Sequence, residues 1–289
     1  MPSDATMPRP RFARLRFRPS FGRIPASSAI GFLLVGIIVL ATLFSPWLTS
    51  FDPLALGTDI LAPPDAIHPL GTDDLGRDLF ARILRGGRVT LGIGLFSAVI
   101  GVVLGVGIGL IAGFFGGAVD EALMRMTEVF LVLPKLLVAV VVVSLLGSSI
   151  FNEVMVIGLL SWMATARIIR TRVQIIRQEE FIAAAAMSGA SRTRILLRHI
   201  LPNVLPYLLA SATLQVASAI MSESFLSFLG LGDPNHPSWG FLLQQGQLYI
   251  DQAWWLTTFP GIALAMTIVG CNLIGDGLGE SRAIGGARR

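Results

Sequence analysis

EEFIAAAAMSGASRTRILLRHILPN, residues 179–203, is a polar segment in a chain whose other long stretches consist mainly of Leu, Val, Ile, Gly and Ala. Residues 179–187 begin with two acids and continue through four alanines, a composition that favours a helix. Gly189 can adopt the left-handed conformation that ends a helix, and Ser191 can cap the next helix, which we expect to stop before Pro202. The stretch therefore predicts two short helices joined by a tight turn.

Arginines surround this stretch, and they exclude it from the hydrocarbon core of a membrane. Burying seven of them, at about 2.5–3.5 kcal/mol each on the insertion scale, would cost on the order of 20 kcal/mol. We refer to residues 167–203 as the insert. The seven arginines of the insert are Arg167, Arg170, Arg172, Arg177, Arg192, Arg194 and Arg198.

The remainder of the chain has the composition of a membrane protein. Of its 289 residues, 53% are hydrophobic and only 14% are charged, so water-soluble packing would leave too much apolar surface uncovered. We predict an all-α membrane protein with six transmembrane helices, since about 20 apolar residues cross about 30 Å of hydrocarbon. The predicted spans are 28–48, 89–112, 129–147, 150–166, 204–222 and 256–275, the fourth being short and carrying Asn152 and Glu153 near its start.

The distribution of arginine predicts the orientation. Arginines crowd the N-terminal tail, the insert and the C-terminal end, and the positive-inside rule places these regions in the cytoplasm. From Asp78 onward, the first outer loop can form an amphipathic helix that rests on the membrane surface before the chain enters the bilayer at Val89. We expect a basic cytoplasmic tail over 1–27, the first span over 28–48, a periplasmic loop over 49–88, a five-helix core over 89–280 and a cytoplasmic tail over 281–289.

On its pattern alone, the insert fits two roles. It has more order than a connection between two spans needs, which favours docking of a partner protein. Its arginines would equally suit contact with lipid phosphates. A basic stripe interleaved with aromatic side chains, as nucleic-acid binding would need, is not visible in the sequence.

Two features of the spans concern packing and a possible solute route. Gly101, Gly105, Gly109 and Gly113 recur every four residues and predict a smooth helix face that a neighbouring backbone can approach closely. Glu223 falls at the outer end of the fifth span. It either lines the mouth of a solute route or marks the membrane boundary.

The sequence carries no recognisable catalytic motif. The only lysine, Lys135, follows Pro134, so the phosphate-binding pattern G-x-x-x-x-G-K-[ST] cannot occur. We expect Lys135 near the inner end of the third span, with its amine reaching the lipid headgroups. The histidines lack metal-ligand spacing and Cys271 is the only cysteine. We therefore assign no catalytic, cofactor-binding or metal site and do not expect an enzyme.

The insert resembles the cytoplasmic loop of bacterial ABC-importer permeases, which has the pattern Glu-Ala-Ala-x-x-x-Gly followed by a short apolar-Pro segment. Ala184, Ala185, Gly189 and residues 200–203 match this pattern, whereas Ala183 stands where the pattern often has Glu. In that family the loop fits into a cleft on the ATPase subunit, and the resemblance implies the same here. The implied ATPase-docking residues are Glu180, Phe181, Ala183, Ala184, Ala185, Ser188, Gly189, Ala190, Ser191 and Arg192.

Further stretches narrow the resemblance to the C-type subunit of the dipeptide, oligopeptide and nickel importer group. They are HPLGTDDLGRDLFARILRGGRVTLGIGL at 68–95, FFGGAVDEALMRMTEVFLVLP at 114–134 and SESFLSFLGLGDPNHPSWGFLL at 222–243. The last span also matches the group and includes Asn272. We take Glu223 and Asn272 as candidate residues of the solute route.

The resemblance implies a type I ABC-importer permease in the bacterial inner membrane, with six spans and a cytoplasmic coupling helix pair. It would be a translocation subunit for di- or oligopeptides, with nickel chelates or glutathione as alternative solutes. The implied partners are a second related permease, two ABC ATPases that bind ATP and Mg²⁺, a periplasmic solute-binding protein and membrane lipid. A heterodimer of permeases is expected, with a homodimer as the alternative.

Two other classes of membrane protein lack their signatures here. An ion-coupled secondary carrier would need inverted repeats and carboxylates at mid-depth, and the charges of this sequence cluster outside the spans. An intramembrane enzyme would need an assembled nucleophile or metal-ligand set, which the sequence does not display.

Overall fold

The computed structural model of this protein describes residues 25–286, with the backbone alone for residue 206 and residues 280–286. The tails predicted over 1–27 and 281–289 therefore lie largely outside the described residues. In the described residues, regular secondary structure is helical, apart from an isolated bridge between Thr72 and Asp78. The all-α prediction is confirmed.

Twelve α-helices follow one another in the described residues, with a π-helical turn at Leu196–Ile200 and a 3₁₀ turn at Gln247–Tyr249. The helices are α1 (Ala26–Leu43), α2 (Ser45–Leu48), α3 (Leu79–Phe115), α4 (Gly117–Val132), α5 (Lys135–Leu146), α6 (Ile150–Leu159), α7 (Trp162–Arg177), α8 (Glu180–Met187), α9 (Arg192–Ile195), α10 (Leu201–Phe228), α11 (Trp239–Gly246) and α12 (Trp255–Gly286).

Four helical stretches of the described chain are long and apolar enough to cross a membrane, and the number rises to six if each of two bent pairs is one span. The four are Ala26–Leu43, Leu79–Phe115, Ile150–Arg177 and Trp255–Gly279. The bent pairs are Gly117–Val132 with Lys135–Leu146, at 80°, and Arg192–Leu205 with Tyr207–Phe228, at 59°. The six predicted spans each correspond to one of these six.

Helix α3 is the centre of the bundle and packs along α7 through its glycines. A Cβ atom at Gly105 would lie 2.6 Å from Thr165, and one at Gly109 would lie 2.6 Å from the carbonyl oxygen of Ala166. At Gly113 the nearest atoms, at 2.8 Å, belong to Arg170 and Val173. The predicted packing face is therefore confirmed, and its partner is α7.

The helix predicted from Asp78 onward is confirmed by the start of α3 at Leu79, but it continues without a break to Phe115, and the prediction that it rests on the membrane surface is wrong. Asp78 caps its first turn and accepts a hydrogen bond from the backbone N–H of Ala81 at 2.7 Å. Leu79 and Ile83 do not face a membrane surface. They are buried in a cluster with Trp239 and Trp255, which belong to α11 and α12.

Polar contacts tie the loop before α3 to the segment between α10 and α12. Arg82 is buried, forms an ion pair with Asp73 and donates to Gln245 Oε1 at 2.7 Å. Trp255 Nε1 donates to the carbonyl oxygen of Thr72 at 3.1 Å. We call this end of the bundle the capped end, and the end that carries α8 and α9 the insert end.

The second helix of the insert does not stop before Pro202, contrary to the prediction. It passes from α9 through the π-helical turn into α10, where Pro202 lies in the first turn. Proline is tolerated there because it directly follows the π-helical turn, where the regular pattern of helical hydrogen bonds is already interrupted. Asn203 Nδ2 donates to the carbonyl oxygen of His199 at 2.6 Å, which satisfies an acceptor at this junction.

Candidate functional site

The two short helices of the insert, α8 and α9, are joined by the turn that the sequence predicts. Gly189 has a φ of +80°, the left-handed conformation. The N–H of Ala190 donates to the carbonyl oxygen of Ala185 at 3.1 Å, and the N–H of Gly189 donates to that of Ala186 at 3.0 Å. These two bonds form a Schellman motif. Ser191 then caps α9 by accepting from the N–H of Arg194 at 3.3 Å.

One face of this helix pair is anchored to the ends of the long helices. Ile182 and Ile195 are each 6% exposed, and Ile200 is fully buried. Their common partners are Leu110 and Phe114 of α3 and Ile169 and Val173 of α7. Because these contacts are buried and apolar, a displacement of the helix pair has to shift the ends of α3 and α7 as well.

The opposite face of the pair is exposed and carries most of the residues singled out from the sequence. Met187, 84% exposed, was missed by the sequence analysis. It lies three and four residues after Ala184 and Ala183, so helical spacing places it on the same face. The exposed residues of the predicted set are Glu180, Phe181, Ala183, Ala184, Ser188, Gly189, Ser191 and Arg192, and the half-buried ones are Ala185 and Ala190.

An ion pair links the insert end of α7 to α4. Arg170 Nη2 donates to Asp120 Oδ2 at 2.6 Å, and Arg170 Nε donates to the other carboxylate oxygen. Gln174 Nε2 adds a third hydrogen bond to Asp120, at 3.2 Å. Arg170 is thus bound within the protein, although the sequence alone allowed it to contact lipid. Asp120 matched the family pattern, but its partner was not predictable from one sequence.

The two candidate residues of the solute route lie in different surroundings. Glu223 is fully buried and accepts hydrogen bonds from Ser227 Oγ at 2.8 Å and Ser224 Oγ at 3.2 Å. Asn272 is exposed, one turn before Gly275, which packs against Leu214. Glu223 lies nine residues beyond Leu214, or about 14 Å further along α10.

A groove runs along the bundle between α7, α10 and the break that separates α4 from α5. Its middle part is a cavity of about 390 Å³. A second cavity, of about 460 Å³, continues it toward the insert end and shares Ile168, Ser211 and Leu214. The guanidinium of Arg172 stacks 4.0 Å over the ring of Tyr207 in this second part, which Asp276 also lines.

Lys135 lines the middle of the groove, and its predicted place near the inner end of the third span stays a prediction. Helix α4 runs from Gly117 at the insert end for 16 residues, about 24 Å, before the chain bends by 80° ahead of Lys135. The sequence did not reveal the length of α4, because the span was predicted to start twelve residues later, at residue 129.

Three comparisons with known proteins agree. The family model described as "Binding-protein-dependent transport system inner membrane component" matches residues 105–280. A di/tripeptide transport system permease protein of Pseudomonas aeruginosa is 38% identical over 87% of this chain and 86% of its own length. An oligopeptide transport system permease protein of Bacillus subtilis is 34% identical over 93% of this chain and 87% of its own length.

A solved structure supports the fold independently. A chain of the MetNI methionine ABC transporter, in an inward-facing conformation, superposes with a TM-score of 0.51 at 20% identity. The match covers 67% of this chain and 93% of that chain, which indicates the same helical architecture. With a family model matched over more than half of its length and relatives similar over most of it, the chain belongs to the family of binding-protein-dependent transport system inner membrane components.

Proposed function

We propose that this chain is the translocation subunit of an ATP-driven importer that moves di- or oligopeptides across the bacterial inner membrane. The observation that carries the proposal is the position of the α8–α9 pair, anchored by Ile182 and Ile195 and exposed on its other face. The names of the relatives, which are peptide permeases, favour peptides over nickel chelates or glutathione as the solute.

In this proposal the chain crosses the membrane six times, each bent pair counting as one crossing. An even number of crossings puts both termini on one side. The arginines of the insert support a cytoplasmic position for the insert end, and the capped end then faces the periplasm.

The exposed face of the α8–α9 pair would dock on a separate ATPase subunit, where ATP and Mg²⁺ bind. Small side chains such as Ala183 and Ala184 allow a partner's surface to approach closely, and Phe181 and Met187 supply apolar contact area. Ala183, where the family pattern often has Glu, makes this docking more apolar than in a relative that carries the acid.

Movement of the docked pair would reach the groove along α7. This helix carries Ile169 and Val173 beneath the pair and, further along, Ala164 and Thr165 in the groove wall. The Asp120–Arg170 ion pair would make α4 move with α7. Two walls of the groove are then displaced together when the ATPases close, as alternating access requires.

The groove is open along one side of this chain, so a second permease facing it would complete the route. We expect a related, different chain in that place, giving a heterodimer with two ATPases. A periplasmic binding protein would deliver the solute at the capped end.

Reconstitution of the complete transporter in liposomes tests the proposed function. We expect uptake of a radiolabelled dipeptide that needs ATP on the side of the insert and the binding protein on the capped side. Uptake of nickel chelate or glutathione in place of the dipeptide would overturn the solute assignment. Uptake driven by an ion gradient without ATP would overturn the whole proposal.

A further inference from the structure

Lys135 is the only lysine of the sequence and lines the middle cavity of the groove. Its side chain is half-buried at the start of α5. The other polar residues that line this cavity are Ser161, Thr165, Ser211, Gln215 and Ser218.

Neighbouring helices place this cavity far from both ends of the bundle. Ser161 lies between α6 and α7, eleven residues from Ile150 and sixteen from Arg177, or about 17 Å and 24 Å along the span. Arg167, the first arginine of the insert, is about 9 Å along α7 from Ser161, and Lys135 lines the cavity between the helices at this level.

The cation of Lys135 is unpaired in the part of the chain that the structure describes. Among the described residues, Lys135 makes no ion pair and donates no hydrogen bond. Asp120 is occupied by Arg170 and Gln174, and Glu223 by two serines. A charged side chain that is partly buried among apolar walls is costly unless it meets water or a partner of opposite charge.

The polar groups beside Lys135 are already arranged. Thr165 Oγ1 donates to Gln215 Oε1 at 2.7 Å, and Gln215 Nε2 donates to the carbonyl oxygen of Ser161 at 3.1 Å. This network joins α7 to α10 across the cavity floor and leaves the ammonium group free to bind an arriving anion. A volume of about 390 Å³ lies within the range of small-ligand sites.

We propose that Lys135 binds a carboxylate group of the transported solute in this cavity. The inference rests on the proposed function, because every peptide with a free C-terminus carries a carboxylate. Two sources offer the same chemistry, the C-terminal carboxylate of any peptide and the side chain of an acidic one. A pairing of this kind keeps the solute off the apolar rim formed by Phe130 and Leu131 and gives the route a preference for anionic groups.

The accessibility of Lys135 can be measured by chemical labelling, because an amine-reactive ester has a single lysine to acylate in this chain. The complete transporter in lipid nanodiscs, without ATP and binding protein, is labelled in the presence of Ala-Ala or its C-terminal amide, and modification of Lys135 is followed by mass spectrometry. Because the free amine of either peptide also consumes the ester, the two are used at equal concentration, and we expect slower acylation of Lys135 with Ala-Ala than with the amide. Ala-Glu amide, whose only carboxylate is in the side chain, then decides which source is accepted.

Two results of the labelling would overturn the inference. Equal protection by Ala-Ala and its amide would mean that the peptide only covers the lysine. Complete protection without any peptide would mean that an acid of the second permease already pairs with Lys135.

Transport by variants gives an independent test. Lys135→Gln should lower uptake of dipeptides about tenfold or more, from the loss of a charge-assisted hydrogen bond, while Lys135→Arg keeps most of it. Leu136→Gln, at the next position and outside the cavity lining, is the matched control and should transport normally. Normal uptake by Lys135→Gln would refute the role of the lysine and leave the proposed function standing. Absence of peptide uptake by the unaltered transporter would refute the proposed function itself.

Discussion

Gly189 sets the geometry of the insert, because the α8–α9 turn requires a left-handed residue at that position. A Cβ atom there would meet nothing within 4 Å, so the requirement is one of backbone conformation and not of space. A β-branched residue in this conformation costs about 1–2 kcal/mol, whereas asparagine adopts it readily.

Gly189→Val should therefore distort the exposed face of the pair, and Gly189→Asn should preserve it. We expect peptide-stimulated ATP hydrolysis by the reconstituted transporter to fall several-fold in the valine variant and to stay near normal in the asparagine variant. Both variants should insert in the membrane in equal amounts. Equal stimulation in the two would show that the left-handed turn is not needed for coupling.

The residue scale also shows where sequence reasoning stops. The turn at Gly189 and the cap at Ser191 are local, and their residue types alone predicted them. The position of Lys135 in the groove depends on the length of α4 and on the bend of 80° ahead of it, which hydropathy does not reveal. The burial of Glu223 depends on packing of α10 against other helices, which one sequence does not give.

At the scale of elements, the α3–α7 contact depends on glycines that face α7. Gly105→Leu should destabilise the protein by about 1–3 kcal/mol or more, because a Cβ alone would already lie 2.6 Å from Thr165. Gly107→Leu, in the same helix, meets nothing within 4 Å and serves as the control. Thermal unfolding in detergent should separate them, and equal midpoints would contradict the proposed packing face.

Substitutions on the exposed face and on the buried face of the α8–α9 pair should impair different steps of transport. Met187→Asp puts a charge on the exposed face, so we expect loss of the ATPase subunit on purification. Ile195→Ala weakens the anchor by about 2 kcal/mol or more but leaves the exposed face intact, so ATP hydrolysis should persist while peptide uptake drops. Loss of the ATPase subunit in both variants, or in neither, would contradict this division of roles.

Sequence patterns located the elements better than their ends. The glycine periodicity of α3 identified a packing face, and the six apolar segments correspond to the candidate spans. The burial of the first turns of α3 was missed because their partners, Trp239 and Trp255, lie more than 150 positions away in the sequence. The continuity from α9 into α10 was missed because the π-helical turn accommodates Pro202.

In the whole molecule, one helix connects the proposed docking face of the α8–α9 pair with the middle cavity of the groove. Helix α7 begins beside the middle cavity, ends beneath the α8–α9 pair and packs closely along the glycines of α3. This continuity is the structural basis for expecting that events at an ATPase reach the solute route.

We expect the exposed face of the α8–α9 pair to meet the ATPase subunit in the cytoplasm. Ser188→Cys and, as the control at the capped end, Asp251→Cys are made in a Cys271→Ala background, and the complete transporter is treated with a short thiol-to-amine crosslinker. We predict a crosslink from position 188 to the ATPase subunit and none from position 251. Crosslinks from position 188 to lipid alone would contradict docking on the ATPase subunit. The cytoplasmic position would be contradicted if a membrane-impermeant thiol reagent labelled that cysteine in cells whose outer membrane alone is permeable.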